Sequence, residues 1–136
     1  MIPALTGIDH VHVHVVDRDA AEAWYARILG LVRVPDLVFW EAGGGPLTLA
    51  NASGTVHIAL FARPAGKRHA TIAFAATARD FLGWQSHLTA ALGHSIELED
   101  HQVSWSLYFA DPDGNPCEIT SYEHAEVAAV LGRSAG

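Results

Sequence analysis

The segment YFADPDGNPCE, residues 108–118, carries the strongest structural signal in the chain. Its centre, DPDGN, has the composition of a tight turn: Pro fixes one backbone angle, Gly adopts positive φ, and Asp and Asn hydrogen-bond their own backbone. Strand-like sequence precedes and follows this turn. We therefore predict a β-hairpin with Tyr108 on one strand and Glu118, ten positions later, on the other.

Outward from this hairpin, the first half of the chain opens with IDHVHVHV, residues 8–15. Its strict alternation predicts a strand with the valines on one face and the three histidines on the other. Asp17 suits the N-cap of the helix that follows, and Gly30 suits its C-terminal end. Strand-like segments are predicted after this helix, at residues 31–34, 37–41, 46–50 and 55–61.

The second half repeats this order of elements. HATIAF, residues 69–74, alternates as a strand, with its isoleucine and phenylalanine on the face opposite His69. TARD, residues 77–80, has the pattern of a capping box, and Gly93 suits the end of the helix that it begins. Strands are predicted after this helix, at residues 95–98, 104–110 and 116–121.

These elements predict an α+β fold, a single domain over residues 1–136 made of two tandem βαβββ units. The first unit covers residues 5–63 and the second covers residues 67–122, with a joint at residues 64–67. The Ala-rich C-terminal tail, residues 123–136, is expected to form a short helix. A chain of this length can bury a real core.

The composition excludes several classes of partner. The formal charge is 8 − 15 = −7 and the basic residues form no run, so nucleic acid and anionic membranes are not expected partners. Cys117 is the only cysteine, which excludes an internal disulfide and fits a reducing cytoplasm. We expect neither a signal peptide nor a membrane-spanning segment. The nine histidines favour metal chemistry weakly.

Three segments together are similar to the vicinal oxygen chelate superfamily: GIDHV at residues 7–11, RHATIAF at residues 68–74 and the segment at residues 108–118. This superfamily includes glyoxalase I, the extradiol ring-cleaving dioxygenases, fosfomycin-modifying enzymes and the bleomycin-resistance proteins. The similarity extends from Leu5 to Tyr122. It implies that the two units form a U-shaped mixed sheet around a metal cavity.

The same resemblance implies that His10, His69 and Glu118 hold a divalent metal. Two imidazoles and one carboxylate leave coordination positions open for substrate, as a catalytic metal requires. Fe(II) is the expected ion, with Mn(II), Ni(II), Co(II) or Zn(II) as alternatives. Strand alternation agrees, because each candidate ligand falls on the face opposite the apolar row of its own strand.

Two further residues are candidates for catalysis. His69 and Glu118 are 118 − 69 = 49 positions apart, and the same interval from His10 reaches Ala59, two residues from His57 and on the same strand face. His57 is therefore a fourth metal ligand as in glyoxalase I, an acid-base group, or a packed histidine. Tyr108 resembles a tyrosine that lies beside substrate and metal in extradiol dioxygenases, or it is a strand aromatic in solvent.

The candidates for substrate binding are polar or aromatic. His12 lines the outer channel or meets solvent, or it holds substrate or tunes a ligand. Asp100-His101 resembles an Asp-His pair of the family, although its spacing to Tyr108 is longer here. An apolar wall for an aromatic substrate, or ordinary core, is the expected role of Phe39, Trp40 and Trp105.

Three hypotheses for the function follow. The first is oxygenation or ring cleavage of a small catechol-like substrate chelated by two oxygens. The second is a glyoxalase-like isomerase or lyase that acts through an enediolate, with His57 as the base. The third is a protein that sequesters a small molecule, as bleomycin-resistance proteins do, although those lack a full ligand set. By resemblance we also expect a homodimer, with each cavity formed within one chain or across both.

Overall fold

In a computed structural model, the structure describes Ile8, residues 10–63 and residues 71–135. The predicted joint at residues 64–67 and the candidate ligand His69 lie outside the described residues. The chain divides into two compact units, Met1–Lys67 and Arg68–Gly136, and each contains its own four-stranded mixed sheet.

The first unit has the predicted βαβββ order, with a 3-10 turn and a short helix between its second and third strands. In chain order they are β1 (Val11–Val15), α1 (Arg18–Leu29), β2 (Val32–Arg33), a 3-10 turn (Pro35–Leu37), α2 (Phe39–Ala42), β3 (Leu47–Ala50) and β4 (His57–Ala62). The strand order is β1-β4-β3-β2. β1 pairs with β4 in parallel, and the other pairs are antiparallel.

The alternation of β1 separates an apolar face from a histidine face. Val13 and Val15 are buried, whereas His12 and His14 are exposed. Val13 pairs with Leu60, which is fully buried, so the apolar rows of β1 and β4 lie on the same face of the sheet. α1 contributes its own buried residues, Trp24, Tyr25, Ile28 and Leu29. Both of its predicted caps are confirmed: Asp17 accepts a hydrogen bond from Ala20 N, and Gly30 is left-handed with φ 70°.

The prediction of a strand at residues 37–41 is wrong. Pro35 begins a 3-10 turn and α2 follows it, because proline has the φ of a first helical turn and needs no N–H partner there. The chain then returns sharply to β3, and a Cβ on Gly45 would lie 2.8 Å from the Trp40 carbonyl oxygen. Arg18 fixes this loop from α1, donating to the Gly45 carbonyl at 2.8 Å and lying 3.5 Å from Glu41.

The second unit repeats the topology. Its elements are β5 (Ile72–Ala75), α3 (Ala78–Leu92), β6 (Glu97–Asp100), β7 (Trp105–Ala110), β8 (Pro116–Ser121) and α4 (His124–Ala135). The strand order is β5-β8-β7-β6, and β5 is parallel to β8. The α+β prediction of two tandem βαβββ units is confirmed, as is a helix in the C-terminal tail.

The β7–β8 hairpin has the predicted turn. The buried Asp111 carboxylate accepts hydrogen bonds from the backbone N–H groups of Asp113 and Asn115, at 2.9 and 2.8 Å. Gly114 has φ 81°, which L side chains rarely adopt. The hairpin's apolar face is buried through Leu107, Cys117 and Ile119. Across the described part of the chain, no helix combines the length and the hydropathy that a membrane crossing requires.

Candidate functional site

The histidine face of the first unit borders a small cavity. His10 directly precedes β1 and His57 opens β4, so extending the β1–β4 register by one residue places the two side by side. Both line a cavity of about 170 Å³. Its remaining lining residues are mostly apolar: Leu37, Trp40, Pro46, Thr48 and Ala59. The Leu37–Trp40 segment, predicted as a strand, thus reaches this cavity as a helical loop.

His10 and His12 share one hydrogen bond. Their Nε2 atoms are 3.1 Å apart and their ring centroids are 5.0 Å apart in a stacked arrangement. One of these nitrogens must carry the hydrogen and the other must accept it. His12 also contacts the ring of Phe61, with centroids 4.7 Å apart. Residue 12 therefore directly contacts a candidate metal ligand, which is where a group that tunes that ligand would lie.

His57 does not occupy the position in the first unit that Glu118 holds in the second. Ala59 does, since Ala59 and Glu118 are each the third residue of a six-residue strand. Their partners correspond as well, with Thr48 opposite Ala59 and Tyr108 opposite Glu118. His57 lies two residues earlier on the same face, next to His10.

Glu118 lies on the polar face of the second unit, between two hydroxyl groups. Ser106 Oγ and Thr120 Oγ1 donate to Glu118 Oε1, at 2.7 and 2.9 Å. The sequence interpretation missed both residues. The available signal was strand parity, because Thr120 follows Glu118 by two positions and Ser106 precedes Tyr108 by two.

Tyr108 is paired directly with Glu118 across the hairpin. Its hydroxyl lies 2.7 Å from His101 Nε2, and that nitrogen lies 3.4 Å from Glu99 Oε2. Desolvation raises the pKa of the Tyr108 hydroxyl; the nearby Ser106 hydroxyl partly opposes this, and the charges of Glu118 and Glu99 reinforce it. The phenol is therefore protonated at neutral pH and available as a hydrogen donor.

The polar face of the second unit borders a cavity of about 450 Å³. Its lining combines small residues with hydroxyls, His101 and the Glu118 carboxylate: Ala73, Phe74, Ala75, His101, Ser104, Ser106, Glu118, Thr120 and Tyr122. Trp105 is not among them. It packs instead on α4, where its ring stacks on His124 with centroids 5.4 Å apart and its Nε1 donates to the His124 carbonyl at 3.2 Å. Phe39 is 64 % exposed and contacts the Trp40 ring, but Phe39 itself does not line the first cavity.

The donor chemistry of both faces fits a divalent metal. Imidazole nitrogens at His10 and a carboxylate at Glu118 are ligand types that suit Fe(II), Mn(II) and their neighbours. In the described residues, which exclude His69, no group of three His, Cys, Asp or Glu lies close enough to hold an ion. The ligand set His10, His69 and Glu118 therefore stays a prediction.

Two mixed sheets of order 1-4-3-2, each with one parallel pair and a polar face beside a cavity, define the paired-βαβββ class of protein. The family model "Glyoxalase/Bleomycin resistance protein/Dioxygenase superfamily" matches residues 7–119, so the chain belongs to that superfamily. The resemblance to the vicinal oxygen chelate proteins is thereby confirmed. Among curated proteins, none matches this chain.

Solved structures share the fold at low sequence identity. A glyoxalase family protein from Bacillus anthracis is 24% identical, with a TM-score of 0.67 over 90% of this chain and 100% of that one. A glyoxalase/dioxygenase from Nostoc punctiforme is 21% identical, with a TM-score of 0.65 over 90% and 97%. The fosfomycin resistance protein FosX from Listeria monocytogenes is 18% identical, also with a TM-score of 0.65 over 90% and 97%. A mutant of FosX was solved with Mn(II) and 1S,2S-dihydroxypropylphosphonic acid.

Proposed function

We propose that this protein is a divalent-metal-dependent enzyme that oxygenates or cleaves a small catechol-like substrate. In this proposal His10, His69 and Glu118 hold the ion, with Fe(II) favoured over Mn(II), Ni(II), Co(II) and Zn(II), and the substrate binds through two adjacent oxygens. Membership of the superfamily supports metal-dependent chemistry. The bound ion would lower the pKa of a coordinated hydroxyl and stabilise negative charge on oxygen.

The Tyr108–His101 pair is the observation that favours this reaction. Tyr108 lies directly opposite Glu118, and its hydroxyl is hydrogen-bonded to His101 at 2.7 Å. Because the pKa of Tyr108 is raised, the phenol keeps its proton at neutral pH and can donate it to a developing negative charge. His101 is then the group that returns a proton to Tyr108 Oη, since its Nε2 is the nitrogen hydrogen-bonded to that oxygen.

Each of the two cavities presents groups that suit a small aromatic substrate. The second-unit cavity presents His101 and Tyr122, which can hydrogen-bond polar substituents. The first-unit cavity presents Trp40 and Leu37, an apolar wall of the kind that packs on a ring. We include His12 among the proposed substrate-binding residues because it contacts His10. We leave Trp105 out of them because it packs on His124.

A glyoxalase-like isomerase or lyase is the second candidate, and the position of His57 favours it. His57 and His10 line the same cavity, so a base there would lie beside a candidate metal ligand. Such a base would take a proton from the carbon next to a substrate carbonyl, and the resulting enediolate would need stabilisation of its oxygen charge. His57→Gln would then abolish turnover, whereas Tyr108→Phe would leave it largely intact.

The proposed function is tested first by metal content. Wild type, Glu118→Ala and Glu97→Gln are purified without chelator, and bound metals are quantified. Glu97 is the matched control, since it is a carboxylate on the same face of the sheet, paired with Tyr108. We expect about one ion per chain in wild type and Glu97→Gln, and loss of that ion in Glu118→Ala.

Activity follows on protein reconstituted with Fe(II) under anaerobic conditions. A catechol panel exposed to dioxygen should give ring-cleaved products with wild type only when the metal is present. Absence of metal in every variant, with none taken up from added Fe(II), Mn(II), Ni(II) or Zn(II), would overturn both enzyme proposals. Tight binding of an aromatic ligand by that metal-free protein would instead identify the sequestering function.

A further inference from the structure

We propose that Ser106 and Thr120 are positioning residues that fix the Glu118 carboxylate and so determine which of its oxygens binds the metal. This inference rests on the proposed function, because it assumes that Glu118 is a metal ligand. It concerns residues of the second unit alone. Both hydroxyls belong to the paired strands β7 and β8, and Ser106 lies directly opposite Thr120 in their register.

The three side chains form a closed triangle of polar contacts. Ser106 Oγ is 2.7 Å from Glu118 Oε1, Thr120 Oγ1 is 2.9 Å from that same oxygen, and the two hydroxyl oxygens are 3.1 Å apart. Each hydroxyl has one hydrogen, so two hydrogens serve three contacts. The carboxylate only accepts, and charge-assisted bonds are the stronger ones, so both hydrogens go to Oε1.

This arrangement has a consequence for a metal ligand. Oε1 receives both hydroxyl donors, so Oε2 is the oxygen that these donors leave available for an ion. The carboxylate is also held in one orientation by residues of a hydrogen-bonded sheet rather than by a loop. Groups that hydrogen-bond a ligating carboxylate in this way typically change metal affinity about 10–100-fold when they are removed.

The competing explanation is that a buried serine simply needs an acceptor. Ser106 has 0% exposure, so water cannot replace a lost partner, and its hydroxyl would bond the nearest carboxylate whatever that carboxylate does. The two explanations differ in what a mutation changes. A purely structural hydroxyl affects folding stability, whereas a positioning hydroxyl also affects the affinity of Glu118 for an ion.

The test measures Mn(II) and Co(II) affinity of the metal-free protein by competition with a chromophoric chelator. The informative variants are Ser106→Ala, Thr120→Val and Thr120→Ser. Thr120→Val keeps the shape of the side chain and removes the hydroxyl, while Thr120→Ser keeps the hydroxyl. The matched control is Ser121→Ala, because Ser121 is buried in the same strand but faces away from Glu118 and donates to no atom of it; its Oγ accepts from Glu123 N at 3.3 Å.

We expect Ser106→Ala and Thr120→Val to weaken the binding of both metals by about 10–100-fold. Thr120→Ser should restore affinity to within about threefold of wild type, and Ser121→Ala should not change it even if its melting temperature falls. Wild-type affinity in Thr120→Val and in folded Ser106→Ala would overturn the inference and leave the proposed function intact. No metal binding by wild type itself would overturn both, so the two failures are distinguishable. Melting curves of the metal-free variants identify any that are unfolded. If Ser106→Ala is unfolded, the metal affinity of Thr120→Val, a change at a half-buried position, tests the inference alone.

Discussion

At the scale of single residues, the two described candidate ligands lie in different surroundings. The Glu118 carboxylate is held by hydroxyl donors, whereas the His10 ring is stacked on His12, which in turn packs against Phe61. Hydroxyl donors restrain the orientation of a carboxylate through directional hydrogen bonds, whereas neighbouring rings restrain the rotamer of an imidazole by packing against it. Mutations around the two residues should therefore change different properties: metal affinity near Glu118 and ring orientation near His10.

Tyr108→Phe tests the proton donor of the proposed reaction. Removing the hydroxyl deletes the donor but keeps the ring, so we expect kcat with a catechol substrate to fall by about 100-fold or more. Metal affinity should stay within about threefold of wild type, because the hydroxyl is not a proposed ligand. Steady-state kinetics of the Fe(II)-loaded protein, alongside metal titration, provide the measurement. A wild-type kcat in Tyr108→Phe would remove Tyr108 from the mechanism.

His101 should act through Tyr108 rather than alone. We expect His101→Gln to lower kcat by about 10-fold, less than Tyr108→Phe, and to add little in the double variant because both changes interrupt one proton path. His94→Gln is the matched control, since His94 bonds only its neighbour's carbonyl in the contacts described, Ser95 O at 2.9 Å. Independent, multiplying losses in the double variant would contradict a shared path.

At the scale of elements, the loop from Pro35 to Gly45 is held by a close backbone approach. A Cβ on Gly45 would lie 2.8 Å from the Trp40 carbonyl oxygen, while a Cβ on Gly43 would lie 3.7 Å from the same atom. We therefore expect Gly45→Ala to destabilise the protein by about 1–3 kcal/mol and Gly43→Ala to change it little. Urea unfolding of both variants measures this difference. Equal stabilities would show that the loop relaxes at no cost.

The contact between β6 and α4 gives a pH dependence. His124 Nε2 lies 2.6 Å from Asp100 Oδ1, and this hydrogen bond, followed by one from Gln102 N, lowers the pKa of the Asp100 carboxyl. The folded state thus favours the charged form. The stabilisation is complete above the ordinary aspartate pKa of about 3.9 and is lost as the pH falls through the lower pKa of the folded protein.

Asp100→Asn should consequently lower the melting temperature slightly at pH 6, by no more than about 3 °C because the pair is exposed. The difference from wild type should shrink as the pH approaches 2. His124→Gln removes the partner and should reproduce most of the loss, with little further effect in the double variant. A difference that is unchanged between pH 6 and pH 2 would contradict this assignment.

Local sequence signals predicted most elements correctly because each depends on near neighbours. Asp17, Gly30 and Thr77 cap their helices as expected, and Asp111 organises its turn. The failure at residues 37–41 has a local cause too, since Pro35 favours a helical turn over an extended strand. The stabilisation of this loop by Arg18, however, comes from another element, so the local sequence pattern could not predict it.

The surroundings of the candidate ligands were harder to predict than their strand faces. Alternation placed Glu118 with Thr120 on one face of their strand and Ser106 with Tyr108 on one face of theirs, and the hairpin register brings these two faces together. It did not give the side-chain directions, which depend on cross-strand neighbours, so the hydroxyl triangle at Glu118 was missed. For the same reason it gave no distinction between Trp40, which lines a cavity, and Trp105, which packs on His124.

At the scale of the whole molecule, we expect a homodimer, as the superfamily resemblance implies. The mass in solution should be near 2 × 14.6 = 29.2 kDa, measured by light scattering after size exclusion. A mass near 14.6 kDa at micromolar concentration would contradict the expectation. The measurement is made on metal-free and metal-loaded protein, because a ligand set shared between chains would couple the two equilibria.

Mixing two inactive variants then shows which chains supply each ligand set. His10→Ala and Glu118→Ala are combined, denatured, refolded together and assayed for metal and for turnover. Sets formed within one chain give no recovery, because every chain carries a defect. Sets formed across two chains give recovery of about a quarter of the sites, since half the dimers are mixed and half of their sites are intact.

The strand order 1-4-3-2 has a consequence for how the chain acquires its structure during synthesis. β1 is at the edge of its sheet, and the strand beside it, β4, is completed only at Ala62, so the pairing of His12 with Ala59 spans 47 positions. The second unit has a similar sequence separation, because Ala73 pairs with Glu118, 45 positions later. On the ribosome, the first strand of each unit emerges long before its partner, with its backbone hydrogen-bonding groups unpaired. Such long loop closures slow folding, so newly made chains should depend on chaperones more than their small size suggests.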